Sequence, residues 1–108
     1  MVKREIIKIL LKFQKAVKKK GIKVTKTVLY GSYATGKYHK DSDIDVALIS
    51  PDFGKDRFEE GVELFQIAYK IDPRIEPVPI SIEAYNKNNW LPLIYEIKER
   101  GIELEKVQ

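Results

Sequence analysis

A chain of 108 residues, 44% hydrophobic and 33% charged, can fill one compact core and leaves little room for a second, so a single domain spanning residues 1–108 is expected rather than a disordered chain. Cysteine is absent, which excludes disulfides and thiolate metal sites, and no apolar run approaches the roughly 20 residues of a membrane helix. The net charge of +4 is unevenly placed: residues 2–20 hold seven Lys, Arg4 and one Glu, a surplus of +7, and the remainder of the chain sums to −3.

Residues 2–20 set Val2, Ile6, Ile9/Leu10, Phe13 and Val17 at helical spacing with lysines between them, and Gly21 is a natural stop. Charges interrupt every apolar stretch here, so no secretory signal is read, and a cytoplasmic protein without membrane contact is expected. The lysine face reads first as a solvated helix surface. RNA binding along it is the less favoured reading, because no aromatic stacking pattern accompanies the lysines. Thr25 to Tyr30 is β-rich and ends at Gly31-Ser32, so it predicts the first strand. The segment from Gly31 to Ile44 has room only for a helix of a turn or two and a tight return, which predicts a mixed sheet rather than a purely parallel one.

Ile44 to Ser50 predicts a second strand, closed by Pro51, and Ser50 to Asp56 a loop. Phe58, Val62, Phe65 and Tyr69 recur at helical spacing and predict a second long helix over residues 56–71. Arg74 to Ile82 predicts a third strand, at an edge or irregular because Pro77 and Pro79 remove ladder donors. Trp90, Leu93/Ile94 and Ile97 mark a C-terminal helix ended by Gly101, and Ile102 to Leu104 a short last strand. The fold class is therefore α+β, a small mixed sheet flanked by helices.

One segment carries chemistry: Gly31-Ser32-Tyr33-Ala34-Thr35-Gly36, then Ser42-Asp43-Ile44-Asp45. Asp43 and Asp45 lie two apart at the start of a strand, so they project from one face with Cα atoms about 6.5–7 Å apart. Two carboxylates so placed repel unless a cation sits between them, and Mg²⁺ prefers hard oxygen ligands completed by water and phosphates. Gly31-Ser32 falls where a strand turns into a short helix, and its amides and hydroxyl suit phosphate oxygens. A phosphate cradle ten residues ahead of a metal-binding pair fits triphosphate chemistry.

This pattern, Gly-Ser, ten residues, Asp-x-Asp, resembles the signature of the nucleotidyltransferase superfamily that includes DNA polymerase β. The fuller form at positions 31–36 and 42–45 resembles the minimal nucleotidyltransferases, often encoded beside a HEPN-domain protein in toxin–antitoxin pairs. The resemblance is strongest over residues 28–50. It implies a polymerase β-like fold, ATP or another nucleoside triphosphate as substrate, and two Mg²⁺ ions held by Asp43, Asp45 and a third carboxylate. Glu76 best matches that third position, where relatives usually carry Asp; Asp72, ahead of Pro73, is the fallback. In the same reading Gly31 and Ser32 bind the triphosphate, and Thr35 stands where many relatives carry Arg. Lys37, His39 or Lys40 can reach the triphosphate, although His39 reads more simply as an exposed loop residue. Ser42 reads as shaping the turn before Asp43.

The resemblance further implies transfer of AMP to a partner, the leading acceptor being a tyrosine of a HEPN ribonuclease toxin. The alternative is a non-catalytic antitoxin that neutralises its partner by covering it, with anchors among Phe53, Tyr85, Trp90 and Leu91. Against that, Trp90 and Leu91 also read as core residues. Oligomeric state and base preference have no signal in the sequence.

Overall fold

In the computed structural model, which describes residues 2–87 and 91–106, a four-stranded sheet is covered on both faces by helices. Helix α1 (Arg4–Lys19) buries Ile6, Leu10, Phe13 and Val17, the stripe expected from the spacing, and breaks at Gly21 with φ 88°. Strand β1 (Lys26–Tyr30) leads into the single turn of helix α2 (Ser32–Thr35), and β2 (Ile44–Ser50) returns antiparallel to β1. Helix α3 (Arg57–Ile71) then crosses over so that β3 (Ile75–Ser81) lies parallel to β2. Helices α4 (Ile82–Lys87) and α5 (Pro92–Arg100) follow, and β4 (Ile102–Glu103) adds antiparallel to β1 before a 3-10 turn at Leu104–Lys106.

The strand order β3-β2-β1-β4 makes β2 and β1 central and β3 an edge. The two prolines explain that placement. The amide of Ile44 donates to the Arg74 carbonyl at 2.8 Å, so even-numbered residues of β3 turn their backbone toward β2. Pro77 and Pro79 are odd-numbered, and their missing N–H groups face away from the sheet, where they cost no ladder bond.

Strand alternation divides the apolar residues between two cores. Leu29, Ile44, Val46, Leu48 and Ile75 pack with α1 and α3 on one face. Val28, Ala47, Ile49 and Ile80 pack with Tyr85, Ile94 and Ile97 on the other. Because β2 is buried on both faces, it reads as a near-continuous apolar run after Asp45. A polar tie links the layers at one end of the sheet. Gln14 Nε2 donates to Thr27 Oγ1 at 2.8 Å and to Glu105 Oε2 at 2.6 Å, and the Thr27 amide donates to Glu105 Oε1 at 3.2 Å.

Three details depart from the expectations. Helix α4 occupies residues that periodicity did not mark, being too short for a helical repeat to show. The stripe Phe58, Val62, Phe65, Tyr69 lies on the solvent side of α3, whose buried face is Leu64, Ile67 and Ala68. Phe53 and Tyr85, considered as interface anchors, are buried, and Leu91 packs half-buried against the second core, so none of the three is an open anchor. Trp90 lies outside the described residues. No helix among the described residues is long and apolar enough to cross a membrane.

Candidate active site

The register of the sheet assembles the polar residues. Tyr30 of β1 pairs with Asp45 of β2, and Asp45 pairs with Glu76 of β3, so one row runs Tyr30, Asp45, Glu76 across three adjacent strands. Direct neighbours in such a row stand about 5 Å apart and share a face. That face is the one covered by α4 and α5 further along, where Val28, Ala47, Ile49 and Ile80 continue the same alternation inward. The row therefore sits at the lip of the sheet, polar at the rim and apolar behind. Asp43 lies one step outside β2, exposed, with the fully buried Ile44 between it and Asp45.

The groups of this row act on one another electrostatically. Burial, then the charges of Asp43, Glu76 and Glu96, push the Asp45 carboxyl above the usual carboxylate range. Burial, then Asp45, Glu96 and Glu76, raise the Tyr30 phenol to about 12, so it stays protonated through the neutral range. Tyr30 and Glu96 were not singled out from the sequence. Tyr30 joins the row only through cross-strand register, and Glu96 reaches it from α5, some fifty residues beyond the motif.

The corner before α2 abuts the same carboxylate. Gly31 holds φ 74°, and a Cβ built on it would overlap the Asp45 carboxylate oxygen Oδ2. Both constraints select glycine there. Its carbonyl accepts from the Ala34 and Thr35 amides at 3.1 Å each, which starts α2, and Ser32 is the first helical residue. The return loop is pinned by Ser42, whose Oγ accepts from the His39 amide at 2.8 Å while the Ser42 amide donates to the His39 carbonyl at 3.0 Å. Ser42 thus shapes the turn that delivers Asp43. His39 Nδ1 accepts from the Asp41 amide at 3.3 Å, a local loop contact. Lys37 and Lys40 are exposed on the same return.

The two candidates for a third carboxylate have different surroundings. Asp72 is engaged by Arg74, accepting from its amide at 2.9 Å, from Nε at 3.1 Å and from Nη2 at 2.9 Å. That guanidinium holds the Asp72 carboxyl below its ordinary range and fixes the turn into β3. Glu76 is exposed and stands beside Asp45. Among the described residues no group of three or more His, Cys, Asp or Glu side chains is placed so that it could hold a metal ion. A cleft of about 330 Å³ between β3, α4 and α5, lined by Pro79, Ile80, Ala84 and Leu91 among others, is apolar and contains none of these acids.

The mixed sheet β3-β2-β1-β4 flanked by helices is the fold of a nucleotide-transfer domain. The chain belongs to the nucleotidyltransferase domain family, whose model matches residues 10–104. Its fold is polymerase β-like. A Methanocaldococcus jannaschii protein named "Putative protein adenylyltransferase" is 29% identical over 101 residues, covering 93% of this chain and 99% of its own. Among solved structures, a Sulfolobus solfataricus protein described as a "putative nucleotidyltransferase" superposes with TM-score 0.64 at 11% identity, over 92% of this chain and 78% of that one. A toxin–antitoxin complex with AMP-PNP matches with TM-score 0.61 at 24% identity, over 87% of this chain and 70% of that one. A mutant of the toxin–antitoxin pair MntA-HpeT gives 0.58 at 21% identity with the same coverage. At these identities the structures establish a shared fold.

Proposed function

We propose that this domain transfers AMP from ATP to a hydroxyl of a partner protein, with Asp43, Asp45 and Glu76 as its acidic centre and Gly31-Ser32 as its phosphate cradle. The observation that carries the proposal is the contact between the two halves of the motif: the Gly31 corner lies against Asp45, and Asp45 lies beside Glu76. The name of the archaeal relative and the toxin–antitoxin neighbours support a protein acceptor, for which a HEPN-domain toxin is the leading candidate.

The donor set suits a hard divalent cation. Three carboxylates supply only oxygen, and Asp45 is disfavoured as an anion first by burial and then by its acidic neighbours, penalties that a bound cation opposes. No three of these side chains are placed to hold a metal ion on their own, so substrate phosphates and water would have to complete the shell, as they commonly do for Mg²⁺. Asp43 and Asp45, with Glu76 on the neighbouring strand, would hold it only together with substrate phosphates and water, two ions in all, and its chemistry there would be neutralising phosphate charge and acidifying the acceptor hydroxyl.

The chain's own residues do the rest. The Gly31-Ser32 amides and the Ser32 hydroxyl hold the β- and γ-phosphates and aim the α-phosphorus at the acid row. The acceptor oxygen forms its bond to that phosphorus as the bond to the β-phosphate oxygen breaks, and pyrophosphate leaves. Glu76, exposed and next to Asp45, takes the acceptor proton. Tyr30, protonated, borders the site as a neutral wall on the β1 side.

The test is incubation with Mg²⁺, α-labelled ATP and the native partner protein, read by label transfer and intact mass. One or more AMP units should appear on the partner with wild type and vanish with Asp43→Asn/Asp45→Asn. Equal labelling by the double variant, or none by wild type, would reject the proposal.

A further inference from the structure

The outer face of helix α1 carries one sign of charge. At about 100° per residue, Arg4, Lys8, Lys12, Lys15 and Lys19 fall within an arc of about 80°. The arc holds these five residues and no other. It lies opposite the buried stripe of Ile6, Leu10, Phe13 and Val17. All five cations are exposed, and they run in line over about 22 Å of helix. None of them forms an ion pair among the described residues. The nearby acids stand at the flanks. Glu5, the one acid of α1, has its Oε1 3.4 Å from Arg74 Nη2, and Glu63 of α3 shares a hollow with Ala16 and Lys20.

This arrangement works against the helix's own stability. Arg4 and Lys8, Lys8 and Lys12, and Lys15 and Lys19 are like charges four apart, and Lys12 and Lys15 are three apart. At those spacings an acid would stabilise the helix and a second cation destabilises it. Exposed positions of α3 instead mix Arg57 and Lys70 with Glu59 and Glu63.

Three features choose the occupant. No apolar side chain lies in the arc, so the face lacks the anchors of a protein interface. The apolar stripe of α1 is spent in the core, so none of it is left to enter a membrane. No aromatic ring accompanies the cations, which removes the base-stacking mode of single strands. A double helix needs none of these. Each of its phosphates neutralised by Lys or Arg releases condensed counterions, a gain that exposed pairs with single carboxylates do not supply.

We propose that the outer face of α1 binds the phosphate backbone of double-helical nucleic acid. Lys8, Lys12 and Lys15 form the middle of the contact, and Arg4 and Lys19 its ends. Contacts of this kind position a protein and carry no sequence information. The binding stands independently of the nucleotide chemistry. The acid row lies on the other face of the sheet, with Val28, Ala47 and Ile49, so a bound duplex leaves it open.

The probes are fluorescein-labelled duplexes of about 20 base pairs, one RNA and one DNA of the same sequence, titrated by anisotropy without ATP or Mg²⁺. Binding to either duplex is expected, and the tighter of the two identifies the source. Five phosphate contacts should give log affinity against log salt a slope of about −4.5. Lys8→Gln/Lys12→Gln/Lys15→Gln, at exposed positions and with good helix formers, should weaken binding at least ~10-fold and bring the slope to about −2. Lys55→Gln/Lys87→Gln/Lys106→Gln removes as much charge elsewhere and should keep the slope of wild type. ATP binding by both triple variants should match wild type, which separates a failure of this face from a failure of the transferase site. The proposal is overturned if neither duplex binds, if the wild-type slope is flatter than about −2, or if the two triple variants weaken binding alike. It is also overturned if a single strand, polyglutamate or phosphatidylserine vesicles are bound as tightly as the duplexes.

Discussion

At the scale of single residues, the site stores a conflict between stability and chemistry. Asp45 is half-buried among Asp43, Glu76 and Glu96, and its carboxyl titrates above the unfolded value. A carboxyl whose folded pKa is raised favours folding at low pH. That advantage is lost as pH climbs from the unfolded pKa through the folded one, so at neutral pH the ionised group works against the fold. Asp45→Asn should therefore raise the melting temperature at pH 7 without divalent cation, while abolishing transfer. Added Mg²⁺ should stabilise wild type and leave the variant unmoved, since a ligand that binds only the native state shifts the unfolding equilibrium. Calorimetry with and without the ion measures both. Gly31 makes the complementary prediction. Gly31→Ala puts a methyl into the Asp45 carboxylate at a left-handed φ, and should cost ~1–3 kcal/mol in denaturant melts as well as most of the activity.

At the scale of elements, α3 is the informative one. Its N-terminus is fixed by Asp56, whose Oδ1 accepts from the Glu59 amide, and by Glu60, which accepts from the amides of Gly54, Lys55 and Asp56. Those caps orient a helix whose larger aromatic residues face outward and whose Leu64, Ile67 and Ala68 meet the sheet. Leu64→Ala should cost ~2–5 kcal/mol through the cavity it leaves. Phe65→Ala, one residue away and larger in side-chain volume, should cost less than ~1 kcal/mol, because the ring is half in solvent already. Urea denaturation of the two variants tests which face is the core face.

At the scale of the whole molecule, two cores share one sheet. Val17 anchors the α1 side and Ile94 the α5 side, and no apolar contact needs to link them directly because β1 and β2 are common to both. Val17→Ala and Ile94→Ala should each lower one single unfolding transition, seen alike by circular dichroism and tyrosine fluorescence. Two separated transitions would mean that the layers unfold independently. The basic helix α1 belongs to the layer opposite the acid row.

Local signals sufficed wherever an element's chemistry was unambiguous on its own. The bounds of β2, the break of α1 at Gly21, the edge position of the proline strand and the Gly-Ser to Asp-x-Asp spacing all follow from propensity, backbone freedom and alternation, which act over a few residues. The pairing of Glu76 with Asp45, the entry of Tyr30 and Glu96 into the site, and the confinement of Asp72 to its Arg74 contact depend on strand register and helix docking. Those are fixed by burying both faces of the sheet at once. Helix α3 shows the division plainly. Its sequence carries two apolar stripes at helical spacing, 58/62/65/69 and 64/67/68/71, and periodicity weighs both alike. Only packing against β3 and α1 turned one inward, because a single helix can bury one face and must leave the other for water or a partner.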